Sequence, residues 1–138
     1  MGLWSALFES ATAKKAEIAE EIDLSHAMEA HIRWKLRLQA YVEGTSQEKL
    51  DPLDIGRDDQ CELGRWIHGP GTIHFHDVEA FDELRADHAQ FHLLAANVVR
   101  QVQANNRAGA EALLKGEYAH VSHKVVNAIT GLHRAVVG

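Results

Sequence analysis

Residues 77–105 read DVEAFDELRADHAQFHLLAANVVRQVQAN, and this stretch decides the fold. It contains neither Pro nor Gly, and Phe81, Leu84, His88, Phe91 or His92, Ala95, Val99 and Val102 recur at spacings of three and four. Residues so spaced share one face of an α-helix. The stretch therefore reads as a long amphipathic helix with two His inside its apolar stripe.

Working outward, residues 108–136 repeat the pattern, with Leu114, Val121, Val125, Ala128, Leu132 and Ala135 expected to point inward. Upstream, residues 9–42 form another helical run that stops near Gly44, and its stripe holds Leu24, Met28, His31, Leu38 and Val42. The breakers Pro52, Pro70, Gly56, Gly69 and Gly71 all fall between these runs. Inside that connection, CELGRWIHG at 61–69 is expected to be a short helix. Asp59 is its expected cap, Glu62 the partner in a capping box, and Gly69-Pro70-Gly71 its end. No sustained alternation suggests a strand. The fold class that follows is all-α: an antiparallel four-helix bundle with an additional short helix carrying Cys61. A break near Asp23 would divide the chain into an N-terminal helical extension, 1–23, and the bundle, 24–138. Leu3, Trp4, Leu7 and Phe8 form an apolar patch in that extension, suited to packing on the bundle or across a dimer, or to docking a partner.

The 138 residues fit one domain. A hydrophobic share of 46% beside 25% charged residues belongs to a globular protein. A net charge of −6 without a compensating basic cluster argues against nucleic acid as the main partner. No apolar run reaches the roughly 20 residues that span a bilayer. The N-terminus lacks the marks of a secretory or myristoylation signal. The single Cys excludes an internal disulfide, so a reducing cytoplasm is expected.

Histidine, by contrast, occurs ten times. His88 and His92 lie one helical turn apart, which aims two imidazoles at one ion. The pair alone is a common accident, and it lacks the Glu after the first His that a metalloprotease uses as base. His31 lies in an apolar stripe, where an unpaired ring nitrogen costs on the order of 1–3 kcal/mol, so it calls for a ligand or a carbonyl partner. Cys61 stands at the start of the short helix, where free N–H groups and the dipole favour a thiolate. Three imidazoles and one thiolate suit tetrahedral Zn²⁺. His31, Cys61, His88 and His92 are thus the expected metal ligands. Four protein ligands leave no open position, which points to a closed zinc site and not to catalysis.

The same residues carry a resemblance. His31-Ile32-Arg33-Trp34-Lys35 closing at Leu38, Cys61-Glu62-Leu63-Gly64-Arg65-Trp66, and His88-Ala89-Gln90-Phe91-His92 follow H-x-x-W-[KR]-x-x-L, C-x-[LF]-G-[KR]-W and H-x-x-x-H. In that order they resemble the bacterial chemoreceptor zinc-binding (CZB) domains, over roughly Leu24 to Val136. The resemblance implies a helical, often dimeric bundle holding zinc by those His, Cys, His and His. It also implies a role in regulating chemoreceptors or diguanylate cyclases, and a zinc-bound thiolate at Cys61 that oxidants attack. The chain has no room for a receptor coil or a cyclase, so a stand-alone, homodimeric sensor with a separate signalling partner is expected.

Trp34 and Trp66 are read as large side chains filling the bundle beside the metal. Asp87 and Glu83 are candidates to accept a ligand's second N–H, set against a plain reading as a solvated helix face. His68, His74 and His76 could gather an adventitious metal. His120 and His123 read as exposed, and His26 and His133 default to the surface. Two rivals are weighed. A metal-independent helical adaptor or dimerisation module predicts that Cys61 is dispensable. An enzyme would be either a zinc hydrolase, which needs three ligands and a placed base, or a di-iron carboxylate protein, which needs paired Glu-x-x-His motifs, of which only Glu117 to His120 is present.

Overall fold

The computed structural model describes residues 24–136, so the expected extension 1–23 and its apolar patch lie outside the described residues. Three long helical segments carry the bundle: α1 (Leu24–Glu43), α5 (Glu79–Gln103), and the pair α6 (Arg107–Leu113) and α7 (Ala119–Val136). Between α1 and α5 the connection folds into three short helices, α2 (Pro52–Ile55), α3 (Glu62–Trp66) and α4 (Thr72–Phe75). No strand occurs among the described residues. The helical bundle with a Cys-bearing short helix is therefore what forms. The fourth long member expected before Asp23 falls outside the described residues.

Sequence explains most of the boundaries. α5 begins with Glu79 and Asp82 in its first turn and has Arg100 in its last, in keeping with the helix dipole. It ends two residues before Asn105, whose φ of 60° turns the chain back. Asn106 then caps α6, its side-chain oxygen accepting from the Gly109 N–H at 3.0 Å. Replacing Asn106 with Ala should cost about 1 kcal/mol, measured as a lowered urea midpoint at unchanged slope. An unaltered midpoint would show the cap to be dispensable. At the other end of the connection, Asp51 caps α2 by accepting from the Leu53 N–H at 2.9 Å, with Pro52 in the first turn.

Packing directions follow from contacts between helices. α5 and α6–α7 form an antiparallel hairpin, and Phe91 meets Tyr118 across it with ring centroids 5.1 Å apart. On α1, His31 lies against Phe91, and Tyr41 lies against Gln103 ten residues on. α1 and α5 therefore run parallel, which the long 44–78 connection permits, and α1 runs antiparallel to α6–α7. The core fills with Leu38 and Val42 of α1, eight apolar residues of α5 and the Val121, Val125, Ile129, Leu132 face of α7. Trp66, Phe75 and Phe81 make an aromatic layer at the end where the connection folds back.

Two expectations are corrected, at Ala135 and at His133. Ala135 is exposed, because the stripe of α7 leaves the core at Leu132. Gly69-Pro70-Gly71 does break the short helix as expected: the backbone leaves helical geometry at Gly69 (φ −113°, ψ −108°), and beyond this kink the chain resumes as α4. Gly71 is required there, since a Cβ would come within 2.8 Å of both Trp66 and Phe81. His133 is half-buried, with a buried Nε2 that has no hydrogen-bond partner, and does not lie on the open surface.

Candidate metal centre

The site forms where the folded connection meets the middle of α5. His88 and His92 are both buried, 1% and 4% exposed, on the face of α5 that the sequence stripe indicates. Cys61 reaches them from the start of α3. It is itself the N-cap, because its Sγ accepts from the Gly64 N–H at 3.2 Å. Asp59, the expected cap, pairs instead with Arg57 at 3.4 Å. Glu62, the expected capping-box partner, pairs with His26 at 2.8 Å. The short C-x-L-G turn thus does two jobs: it starts the helix and aims the sulfur into the bundle.

Three potential ligand atoms converge. Cys61 Sγ lies 3.3 Å from His88 Nε2 and 3.5 Å from His92 Nε2, and the two Nε2 atoms are 3.1 Å apart. His92 Nδ1 donates to the Ile55 carbonyl at 2.9 Å, since a carbonyl can only accept. In the neutral ring this leaves the lone pair on Nε2, facing the other two atoms. Zinc tests the fit by simple geometry. Zn–N bonds of about 2.0–2.1 Å and a Zn–S bond of about 2.3 Å, set tetrahedrally, put nitrogen and nitrogen about 3.3 Å apart and nitrogen and sulfur about 3.6 Å apart. The observed edges are all shorter than these values, by about 0.1 to 0.3 Å, so a small separation of the three atoms would admit one ion. Cys61, His88 and His92 can hold a metal ion, and they are the one such group among the described residues.

Electrostatics favours neutral imidazoles. Burial lowers the pKa of His88 to about 3, assisted by the neighbouring His92 and opposed by Asp58. Burial likewise lowers that of His92, while its bond to the Ile55 carbonyl and the Asp58 charge pull the other way. Cys61 corrects an expectation. The N–H groups of Gly64, Cys61 and Leu63 do favour its thiolate, but burial outweighs them and pushes the thiol up. In the metal-free molecule this Cys is a thiol, and a cation would be what draws off its proton.

The remaining expected residues separate into near and far. His31 is half-buried beside the cluster, its ring stacked on Phe91 at 4.8 Å and 10°, with Nδ1 3.3 Å from Ser122 Oγ. It is not among the three residues whose ligand atoms lie within 4.8 Å of one another. Burial, with the charge of His92, lowers its pKa to about 4. Trp66 fills the aromatic layer as expected, whereas Trp34 is half-buried, carries Arg37 over its ring at 4.4 Å, and walls an open groove leading to Cys61 and His92. Asp87 pairs with Lys124 at 3.3 Å and Glu83 is exposed, so neither accepts a ligand N–H. The buried His88 Nδ1 has no hydrogen-bond partner. His68 pairs with Asp58 at 3.2 Å, and His76 Nδ1 meets the Thr72 carbonyl, so the loop histidines form no second cluster. His120 and His123 are exposed.

Sequence reasoning missed the Ile55 carbonyl, Asp58 and Ser122. A backbone acceptor carries no residue signal, and Ser122 comes from a helix far along the chain. Asp58 stands in an acidic pair ahead of Cys61, the only hint available.

A helical bundle that brings one half-buried thiol and two buried imidazoles to a single point defines a metal-binding domain. The match to known proteins specifies it further. The family model of the chemoreceptor zinc-binding domain (CZB) matches residues 31–99, which begin on His31 and include Cys61, His88 and His92. The chain belongs to this family, whose members are zinc-binding signalling domains. No curated protein and no solved structure matches it. No helix among the described residues is long and apolar enough to cross a membrane.

Proposed function

We propose that the protein is a zinc-binding regulatory domain of bacterial signalling, in chemotaxis or cyclic-di-GMP control. In this reading Cys61, His88 and His92 are ligands and His31 completes a closed four-ligand set. The observation that carries it is the convergence of one sulfur and two imidazole Nε2 atoms at edges of 3.1, 3.3 and 3.5 Å, with both imidazoles buried. Bound zinc supplies a positive charge that stabilises the Cys61 thiolate and ties the site together. The protein's own residues do the rest. Ile55 fixes the His92 tautomer, α3 aims the sulfur, and burial keeps the imidazoles unprotonated.

The ligands come from α1, α3 and α5, so their joint state sets how these elements pack. Losing the ion leaves a half-buried thiol and two buried imidazoles whose inner edges have only one another as partners, and oxidising the sulfur weakens its hold as a ligand. Zinc level and oxidation of Cys61 then reach the same loosened state, which suits a sensor. With every ligand position filled by protein, the site activates no water or substrate, so the protein is not an enzyme. It acts in the cytoplasm, as a homodimer, on a separate signalling protein such as a chemoreceptor or a diguanylate cyclase.

The test is metal content by mass spectrometry on protein purified without a His tag. About one zinc per chain is expected, as a closed four-ligand site requires. That zinc should be lost or strongly reduced in Cys61→Ala and His88→Ala. A folded wild type without stoichiometric metal would sink the reading.

A further inference from the structure

His31 is held on two sides by residues far from it in sequence. Its ring lies flat on Phe91, at 10° and 4.8 Å, which fixes the ring plane. Stacking alone does not fix which edge faces the ligand cluster, because half a turn about the Cβ–Cγ bond exchanges the two edges without leaving Phe91. A hydrogen bond at one edge distinguishes them. The half-buried Ser122 Oγ, on α7, lies 3.3 Å from Nδ1.

The local structure places that hydroxyl. The run from α6 into α7 widens into a π-turn at Leu114–Tyr118. Such a turn accommodates an extra residue, which rotates the following helix by roughly 100° relative to an unbroken one. After it, the buried Tyr118 packs on the face of Phe91 at 5.1 Å, and Ser122, four residues on, is on the same side of α7 next to His31. Lys124 reaches from the same helix to Asp87 at 3.3 Å, tying α7 to α5 beside His88.

We propose that Ser122 is a positioning residue of the metal centre: its hydroxyl accepts from His31 Nδ1–H and so keeps the lone pair on Nε2, the atom that binds the ion. His92 is arranged in the same way, with Nδ1–H tied to the Ile55 carbonyl and Nε2 left free. A partner at the second nitrogen typically strengthens metal affinity 10- to 100-fold. The inference rests on His31 being a ligand, and it brings α7, which supplies no ligand itself, into the site.

The experiment is zinc competition against a chromophoric chelator, on the full chain, for wild type, Ser122→Ala, Ser122→Thr, His31→Ala and the His31→Ala/Ser122→Ala double variant. Ser122→Ala should weaken zinc about 10-fold or more, and Ser122→Thr, which retains the hydroxyl, should restore most of the loss. The double variant should bind no more weakly than His31→Ala alone, since Ser122 acts through that ring. The cobalt-loaded Ser122→Ala protein should show a shifted visible band. A Ser122→Ala affinity equal to wild type, with His31→Ala weakened, would overturn the role of Ser122 and leave the ligand set standing. So would losses that simply add in the double variant. A His31→Ala affinity equal to wild type would instead remove His31 from the ligand set, and Ser122 with it.

Discussion

Gly64→Ala should destabilise the metal-free protein by about 3 kcal/mol and weaken its zinc binding at least 10-fold, an effect out of proportion to one methyl group. Gly64 is buried at the turn that presents Cys61. A Cβ there would overlap the Asp58 carbonyl oxygen outright and stand 2.8 Å from the carbonyl carbon. Overpacking ordinarily costs about 1–3 kcal/mol because side chains can turn aside. Here the obstacle is backbone, so either residues 58–61 or the whole of α3 must move. The Gly64 N–H is also the donor that holds Cys61 Sγ at 3.2 Å. A displacement of even 1 Å takes the sulfur out of register with His88 and His92. Gly131→Ala is the matched control. It lies inside α7 with nothing within 4 Å of the new Cβ, and should be stabilising by up to about 1 kcal/mol, as for any Gly in a helix interior. Urea unfolding with a chelator present and zinc competition report the two effects separately. A Gly64→Ala protein that unfolds at the wild-type midpoint and binds zinc normally would refute the account.

The same residue shows how far the sequence could be read. The three long helices were legible because their apolar positions recur at three and four over many turns, and burial at Phe81, Leu84, His88, Phe91, His92, Ala95 and Val99 follows that stripe. His88 and His92 were legible as a pair because helical spacing alone aims them together. Cys61 was legible as a candidate from its chemistry and its place at a helix start, but its meeting with residue 88 belongs to the folded chain, since nothing local links the two. Its capping role was hidden for a physical reason: Asp59 is the stronger N-cap residue by ordinary preference, yet the turn that buries the sulfur lets Cys61 take the Gly64 N–H instead. Asp87 was drawn into the site by adjacency to His88. One step along a helix is about 100° around it, however, and that rotation carries Asp87 to Lys124. Ser122 was invisible because the π-turn at Leu114–Tyr118 shifts the phase of the last helix, and no residue pattern announces such a shift. The outward turn of Ala135 is a smaller matter of where the core ends.

The second large effect is expected on acidification. The metal-free protein should lose stability steeply below pH 6.5, by roughly 4 kcal/mol at pH 5, a large part of the 5–15 kcal/mol typical of a domain. The sign follows from the two buried rings. His31 and His88 have pKa values lowered to about 4 and about 3 by burial, against an ordinary 6.5. Above pH 6.5 these rings are neutral in folded and unfolded chains alike, and their contribution to stability is fully present. As pH falls, the unfolded chain takes up protons that the folded chain refuses, at about 1.4 kcal/mol per ring per pH unit, until the folded values are reached. His92 is shifted in the same direction and adds to the loss. Zinc opposes it by binding only the folded state, which contributes about 2.7 kcal/mol at a free concentration 100 times its Kd. The same values fix the proton count of binding. Near pH 7 the imidazoles have no proton to release, while the Cys61 thiol, pushed up by burial, has one. Titration calorimetry in buffers of different ionisation enthalpy should therefore find about one proton released per zinc, as a single thiol ligand requires. The affinity should fall about tenfold per unit of pH below neutrality for the same reason. Release of two or more protons at pH 7 would mean that at least one ligand imidazole is charged in the metal-free fold. A urea midpoint unchanged between pH 7.5 and pH 5 with a chelator present would mean that these rings are not buried. Either result would break the link drawn between the packing of α5 and the readiness of its histidines to take a metal.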